Sequence, residues 1–196
     1  RGLTGAIAAR YGIGYAPEGW SPLKQVFADY TADALAASGL VVDGDNRRYD
    51  RFRDRIMFPI KNIKGQIAGF GGRVLDKGEP KYLNSPETPL FHKGSELYGL
   101  FEARAAIKAA GRAIVVEGYM DVVALAQHGV EFAVAALGTA TTPIHVRTLL
   151  RHTDRLIYAF DGDNAGRKAA WRALENSLEA LQDGKEVSFL FLPEGE

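Results

Sequence analysis

Short β-branched runs alternate with amphipathic helical stretches through the second half of the chain, which is the signature of an α/β fold. Residues 113–116 predict a buried strand. Residues 119–128 predict a helix with Val122, Val123 and Ala126 on its apolar side and Gly129 as its stop. A second strand is expected at 132–137. Pro143 then opens a helix through Val146, Leu149 and Leu150, since a proline is tolerated in a first helical turn. Residues 155–160 read as a third strand, 166–181 as a long helix with Gly184 as its stop, and 187–192 as a fourth strand. Four strands joined by three helices predict a parallel sheet with right-handed crossovers and helices on its faces.

The first half is less regular and reads as an α+β subdomain. Helical patterns fall at 4–11, 22–27 and 31–38, separated by Gly-Ile-Gly-Tyr and Pro-Glu-Gly-Trp. Apolar alternation at 56–60 and 66–70 around Lys64-Gly65 predicts a β-hairpin. Residues 77–89, with three prolines, are expected to form a polar loop. The domain boundary is placed after 112, giving a basic α+β part at 1–112 and an α/β part at 113–196.

The 196 residues can bury a core without disulfides or a structural metal. There is no cysteine, which excludes thiol catalysis and zinc-thiolate sites here. No apolar run approaches the roughly 20 residues of a membrane span, so no membrane association is expected. Net charge is zero, but residues 47–81 carry ten basic against four acidic side chains, and residues 113–196 seven against twelve. A basic segment beside an acidic one suits a protein that holds a polyanion with one part and gathers cations with the other, although two solvated faces would give the same counts.

Ligands of parallel open sheets bind beyond the carboxyl ends of the strands. The first strand runs into Glu117-Gly118 and the third into Asp161-Gly162-Asp163, so three carboxylates are expected as neighbours on one sheet edge. Like charges so close repel unless a cation sits among them, and hard oxygen donors without His or Cys suit Mg²⁺ or Mn²⁺ rather than zinc. Each group also has a plainer reading: Glu117 as a first-turn helix charge, the Asp161–Gly166 stretch as a turn, and Asp121 as a surface charge or a support for the site.

Val115-Val116-Glu117-Gly118-Tyr119-Met120-Asp121 and Phe160-Asp161-Gly162-Asp163-Asn164-Ala165-Gly166 resemble the acidic motifs of the Toprim fold, in the form found in bacterial replicative DNA primases. Arg1-Gly2-Leu3, Tyr49-Asp50-Arg51-Phe52-Arg53, Met57-Phe58-Pro59-Ile60, Gly69-Phe70-Gly71-Gly72-Arg73, Pro80-Lys81-Tyr82-Leu83-Asn84-Ser85-Pro86 and Phe91-His92-Lys93-Gly94 resemble the RNA-polymerase domain of that family, in the same order. The resemblance implies synthesis of short RNA primers from ribonucleoside triphosphates on single-stranded DNA, in the cytoplasm at the replication fork. It implies Glu117, Asp161 and Asp163 as metal ligands and, with Asp121, as the catalytic carboxylates, with Glu117 helping to deprotonate the attacking 3′-hydroxyl. Arg1, Arg51, Arg53, Arg73, Lys81 and Lys93 match the family's basic positions and are expected to contact phosphates of template, primer and triphosphate, with Tyr82 and Asn84 nearby. Arg47, Arg48, Lys64 and Lys77 read as ordinary surface charge.

The family's zinc-binding domain requires cysteine and is expected to lie outside this stretch, as is the domain that contacts the replicative helicase. A further Asp-x-Asp site of the family follows the strand that ends at Phe191-Leu192-Pro193, so the metal site is expected to be incomplete in this piece, which is expected to be monomeric. Toprim carboxylates also serve strand-cleaving enzymes, and a binding module with structural carboxylates is a third reading.

Overall fold

The computed structural model describes residues 2–75, 78–138 and 140–193. Arg1, expected among the phosphate contacts, lies outside them. The first half comprises α1 (Gly5–Tyr11), β1 (Gly14–Ala16), a 3-10 turn at Pro22–Gln25, α2 (Asp33–Ala37), β2 (Val41–Asp43), β3 (Arg48–Asp50), β4 (Arg55–Lys61), β5 (Ile67–Val74) and β6 (Tyr82–Asn84). The helix α3 (Leu100–Ala110) leads into β7 (Ala113–Val116), α4 (Tyr119–Gln127), β8 (Ala133–Ala135), α5 (Pro143–Leu150), β9 (Arg155–Phe160), α6 (Asn164–Ala180) and β10 (Glu186–Phe191). No helix among the described residues is long and apolar enough to cross a membrane.

The four later strands form one parallel sheet in the order β10-β9-β7-β8. The pleat sends Ala113 and Val115 into a core shared with α3, α5 and α6, and turns Ile114 and Val116 toward a second core with α1, α4 and Phe58 and Ile60 of β4. The second core joins the two halves of the chain. The edge of β8 is extended by Tyr98, which exchanges both backbone hydrogen bonds with Ala135 at 2.9 and 3.0 Å.

The predicted hairpin is β4–β5, antiparallel, turning at Gly65, whose φ of 84° a side chain would disfavour. It lies in a sheet ordered β1-β4-β5-β6, while β2 and β3 pair separately. Besides β1, β2 and β3, which the sequence reading did not place, four details differ from it. The expected helix at 22–27 is one 3-10 turn, drawn in because the Leu23 N–H donates to the buried Asp50 carboxylate. Within the expected polar loop, residues 82–84 form β6, since β5 offers an unpaired edge for them. The α3 helix was not anticipated, although Leu100, Ala103 and Ile107 carry its period. Finally, α6 starts earlier because Asp163 caps it, and it ends at Ala180, ahead of Gly184, where Leu181 turns extended.

Candidate active-site cleft

Because β7 and β9 are direct neighbours, their carboxyl ends bring Glu117 and Asp161 together across 44 residues of sequence. The Asp161 N–H donates to Glu117 Oε1 at 3.2 Å. Asp121 occupies the first turn of α4, where its carboxylate accepts from the Gly118 N–H at 3.0 Å and complements the helix dipole. Asp163 is the N-cap of α6, accepting from the Gly166 N–H at 2.7 Å. Loss of solvent pushes the Glu117 carboxyl above its ordinary value, and the charges of Asp161, Asp121 and Asp163 push the same way, against the bond from the Asp161 backbone.

A cleft of about 330 Å³ opens beside this edge, lined by Tyr82, Asn84, Glu117, Gly118, Asp121 and Asp161 among others. One wall belongs to the first half of the chain. Tyr119 donates its hydroxyl to Asn84 Oδ1, and Asn84 Nδ2 donates to the Leu137 carbonyl at 3.2 Å, so β6 is fastened to the parallel sheet. This docking needs Gly71, because a Cβ there would come within 2.6 Å of the Tyr119 ring. Burial pushes the Tyr119 hydroxyl far above its ordinary range, so it stays a donor.

Among the described residues no three or more His, Cys, Asp or Glu side chains are gathered into a group that could by itself hold a metal ion. The donors nevertheless fit a hard divalent cation. They are carboxylates only, and they stand at an open edge where water and substrate oxygens would complete the coordination.

None of Arg51, Arg53, Arg73, Lys81 and Lys93 lines the cleft. Arg73 pairs with Tyr82 across the β5–β6 ladder, its guanidinium 5.2 Å from the ring centroid. Lys81 is exposed just before β6, and Arg55, which the sequence reading did not single out, holds that approach by donating to the Pro80 carbonyl at 2.8 Å. The Lys93 N–H donates to Glu87 at 3.1 Å, and His92 pairs with the same carboxylate. Arg53 belongs to a separate cluster. Its guanidinium lies 4.5 Å from the Trp20 ring centroid and 5.0 Å from that of Tyr49, while Arg47 stacks on Trp20 at 3.3 Å. Arg51 is half-buried, and its buried Nε has no partner. Arg48 is structural, donating to the carbonyls of Thr31 and Ala32. The sequence reading took Arg47 for ordinary surface charge and gave Trp20 and Tyr49 no role, and the signal for this cluster was a tryptophan in a Pro/Gly turn next to a basic segment.

Residues 1–104 match the family described as DNA primase catalytic core, N-terminal domain, and residues 111–191 match the Toprim domain. The chain is 65% identical over 194 residues to a DNA primase of Neisseria meningitidis, covering 99% of this chain and 33% of that protein. It superposes on the crystal structure of a DNA primase domain from Pseudomonas aeruginosa with a TM-score of 0.95 at 57% identity, covering all of this chain and 62% of that one. A DnaG primase catalytic domain bound to ssDNA matches with a TM-score of 0.92 at 52% identity, over all of this chain and 64% of that one. The chain spans about a third of the length of the curated relatives it matches.

Proposed function

The chain belongs to the DNA primase catalytic-core family, and from that premise we propose that it is the part of a primase that joins ribonucleoside triphosphates into a short RNA primer on single-stranded DNA. In this reading residues 1–112 grip nucleic acid and nucleotide, and residues 113–196 form the Toprim part. The protein works in the cytoplasm at the replication fork, with a helicase contacted through another domain and this piece monomeric. The observation that carries it is one cleft in which an acidic strand edge, Glu117 and Asp161, faces Tyr82 and Asn84 from the basic sheet.

Toprim primases imply divalent-metal use in general terms, and we assign Mg²⁺ or Mn²⁺ to Glu117 and Asp161 of the cleft, with Asp163, which caps α6 through Oδ1, contributing its other carboxylate oxygen. A cation bound there would offset charge developing on the triphosphate during in-line transfer. Glu117, whose carboxyl loss of solvent raises above its ordinary value, is suited to take the proton of the attacking 3′-hydroxyl as that oxygen bonds to the α-phosphate and pyrophosphate leaves. Asp121 holds the start of α4, and thereby Gly118, against the cleft. Arg73, Lys81 and Lys93 would hold phosphates. Trp20, half-exposed and flanked by Arg47 and Arg53, offers a ring face with two cations for single-stranded template.

The test is calorimetric titration of Mn²⁺ and Mg²⁺ with and without ribonucleoside triphosphate, on the parent and on a variant with Asp161→Asn and Asp163→Asn, alongside labelled-ribonucleotide incorporation on single-stranded DNA by the full-length protein. Metal-dependent triphosphate binding and incorporation that both vanish in the variant are expected. Oligonucleotide cleavage without nucleotides would replace this reading with a nuclease, and DNA binding indifferent to metal, without incorporation, would replace it with a binding module.

A further inference from the structure

Glu117 stands on the crest of the parallel sheet, with a hollow on each side. The cleft already described lies on the α4 side. On the α6 side a second cavity, of about 500 Å³, opens between the sheet and the first turns of α6. Its sheet wall includes Val115 and Phe160, and its helix wall is Ala165, Lys168, Ala169 and Arg172. These four positions follow the helical period and share one face of α6. The two alanines leave room over the sheet, and the two cations stand beside it. Neither Lys168 nor Arg172 makes a side-chain ion pair or hydrogen bond among the described residues, whereas other cations nearby do, Arg147 with Glu179 and Lys185 with Asp154.

The cavity is polarised along its length. Glu117 closes the end beside the start of α6, and at 1.5 Å rise per residue Arg172 lies about 10 Å further along the helix than Ala165. A fitting occupant therefore has an apolar body to lie against Val115, Phe160, Ala165 and Ala169, hydrogen-bond donors at one end for the Glu117 carboxylate, and an anion at the other for Lys168 and Arg172. The volume falls within the roughly 300–1,000 Å³ of small-molecule sites, and the position, between the ends of β7 and β9 where successive helices leave on opposite faces of the sheet, is the switch-point crevice of open parallel sheets.

We infer that this cavity is a second small-molecule site, adjoining the metal-dependent cleft and sharing Glu117, Ala136 and Gly138 with it, that takes a nucleoside monophosphate with its base toward Glu117 and its phosphate toward Arg172. Recognition needs no divalent cation, because the phosphate is met by side-chain cations.

The test is binding of adenosine and guanosine 5′-monophosphate to the full protein in EDTA, by calorimetry. The probe is run against inorganic phosphate and the uncharged nucleosides, with Lys168→Glu, Arg172→Glu and Asp161→Asn variants. Both cations are exposed on the outer turns of α6, and circular dichroism is expected to be the same in all variants. Nucleotide binding in EDTA that weakens tenfold or more in both charge-reversal variants and persists in Asp161→Asn supports the site. Binding that needs a divalent cation, that survives both reversals, or that inorganic phosphate matches in affinity would overturn it, and each of these results leaves the polymerase reading standing.

Discussion

Gly166 sets two physical effects against each other. It lies in the first turn of α6, where exchanging glycine for alanine ordinarily stabilises a helix by up to about 1 kcal/mol. Here a Cβ would fall 2.1 Å from the Asp161 carbonyl oxygen, 2.9 Å from its carbonyl carbon and 3.1 Å from its nitrogen. Comfortable contact between non-bonded heavy atoms begins near roughly 3.5 Å, so the turn must retreat by more than about 1 Å. The obstacle is backbone and cannot swing aside. The turn is also fastened at both ends, by Asp163 to the Gly166 N–H and by the Asp161 N–H to Glu117. Overpacking costs about 1–3 kcal/mol and loss of an N-cap roughly 0.5–2 kcal/mol, which together outweigh the helical gain. Gly166→Ala should therefore lose about 2 kcal/mol, read as a lowered urea midpoint. A displacement near 1 Å at a reacting centre can cost on the order of 100-fold in rate, so incorporation should drop more than stability alone explains. A Gly166→Ala protein as stable as the parent, with unchanged metal-dependent triphosphate binding, would refute the steric argument.

Three further outcomes follow from the same geometry. The Glu117 carboxyl is raised above its ordinary 4.5, so the native state holds that proton more tightly than the unfolded chain; stability is highest below 4.5 and declines as pH rises through the native value. Glu117→Gln should thus be more stable than the parent near pH 7, with the gap closing below 4.5, and urea midpoints across pH check it. Burial holds His145 below its ordinary 6.5, with the Lys93 and Glu96 carbonyls opposing, so stability is retained above 6.5 and lost as pH falls beneath it; His145→Gln should flatten that slope. Asp50 is buried and accepts from the Leu23 N–H at 2.8 Å and the Tyr30 hydroxyl at 2.6 Å. At about 1.5–3 kcal/mol per charge-assisted bond, Asp50→Ala should cost 3 kcal/mol or more and Asp50→Asn less, and a loss below about 1 kcal/mol in the alanine variant would show these bonds are not what seats the 3-10 turn.

What the sequence determined by itself is local and periodic. The β-branched runs at 113–116 and 155–160, the helices between them and the hairpin around Gly65 were legible because burial of one face imposes a period of two or 3.6 residues on neighbours in the chain. The acidic ends at Glu117 and Asp161 were legible for a related reason, since parallel strands place all their carboxyl ends on one edge. Only the tertiary structure decided the rest. Tyr82, Leu83 and Asn84 carry no strand signal beside three prolines, and they become β6 because β5 presents open backbone groups to them. The stacking of Arg47 and Arg53 on Trp20, and the Tyr119–Asn84 bond that closes the cleft, join residues about 30 positions apart. The division of labour among the carboxylates is of the same kind: Asp121 faces the cleft while Asp163 turns back to cap α6, because each meets whichever unpaired N–H the fold brings within reach. Such pairings depend on distance in space, which no spacing along the chain encodes.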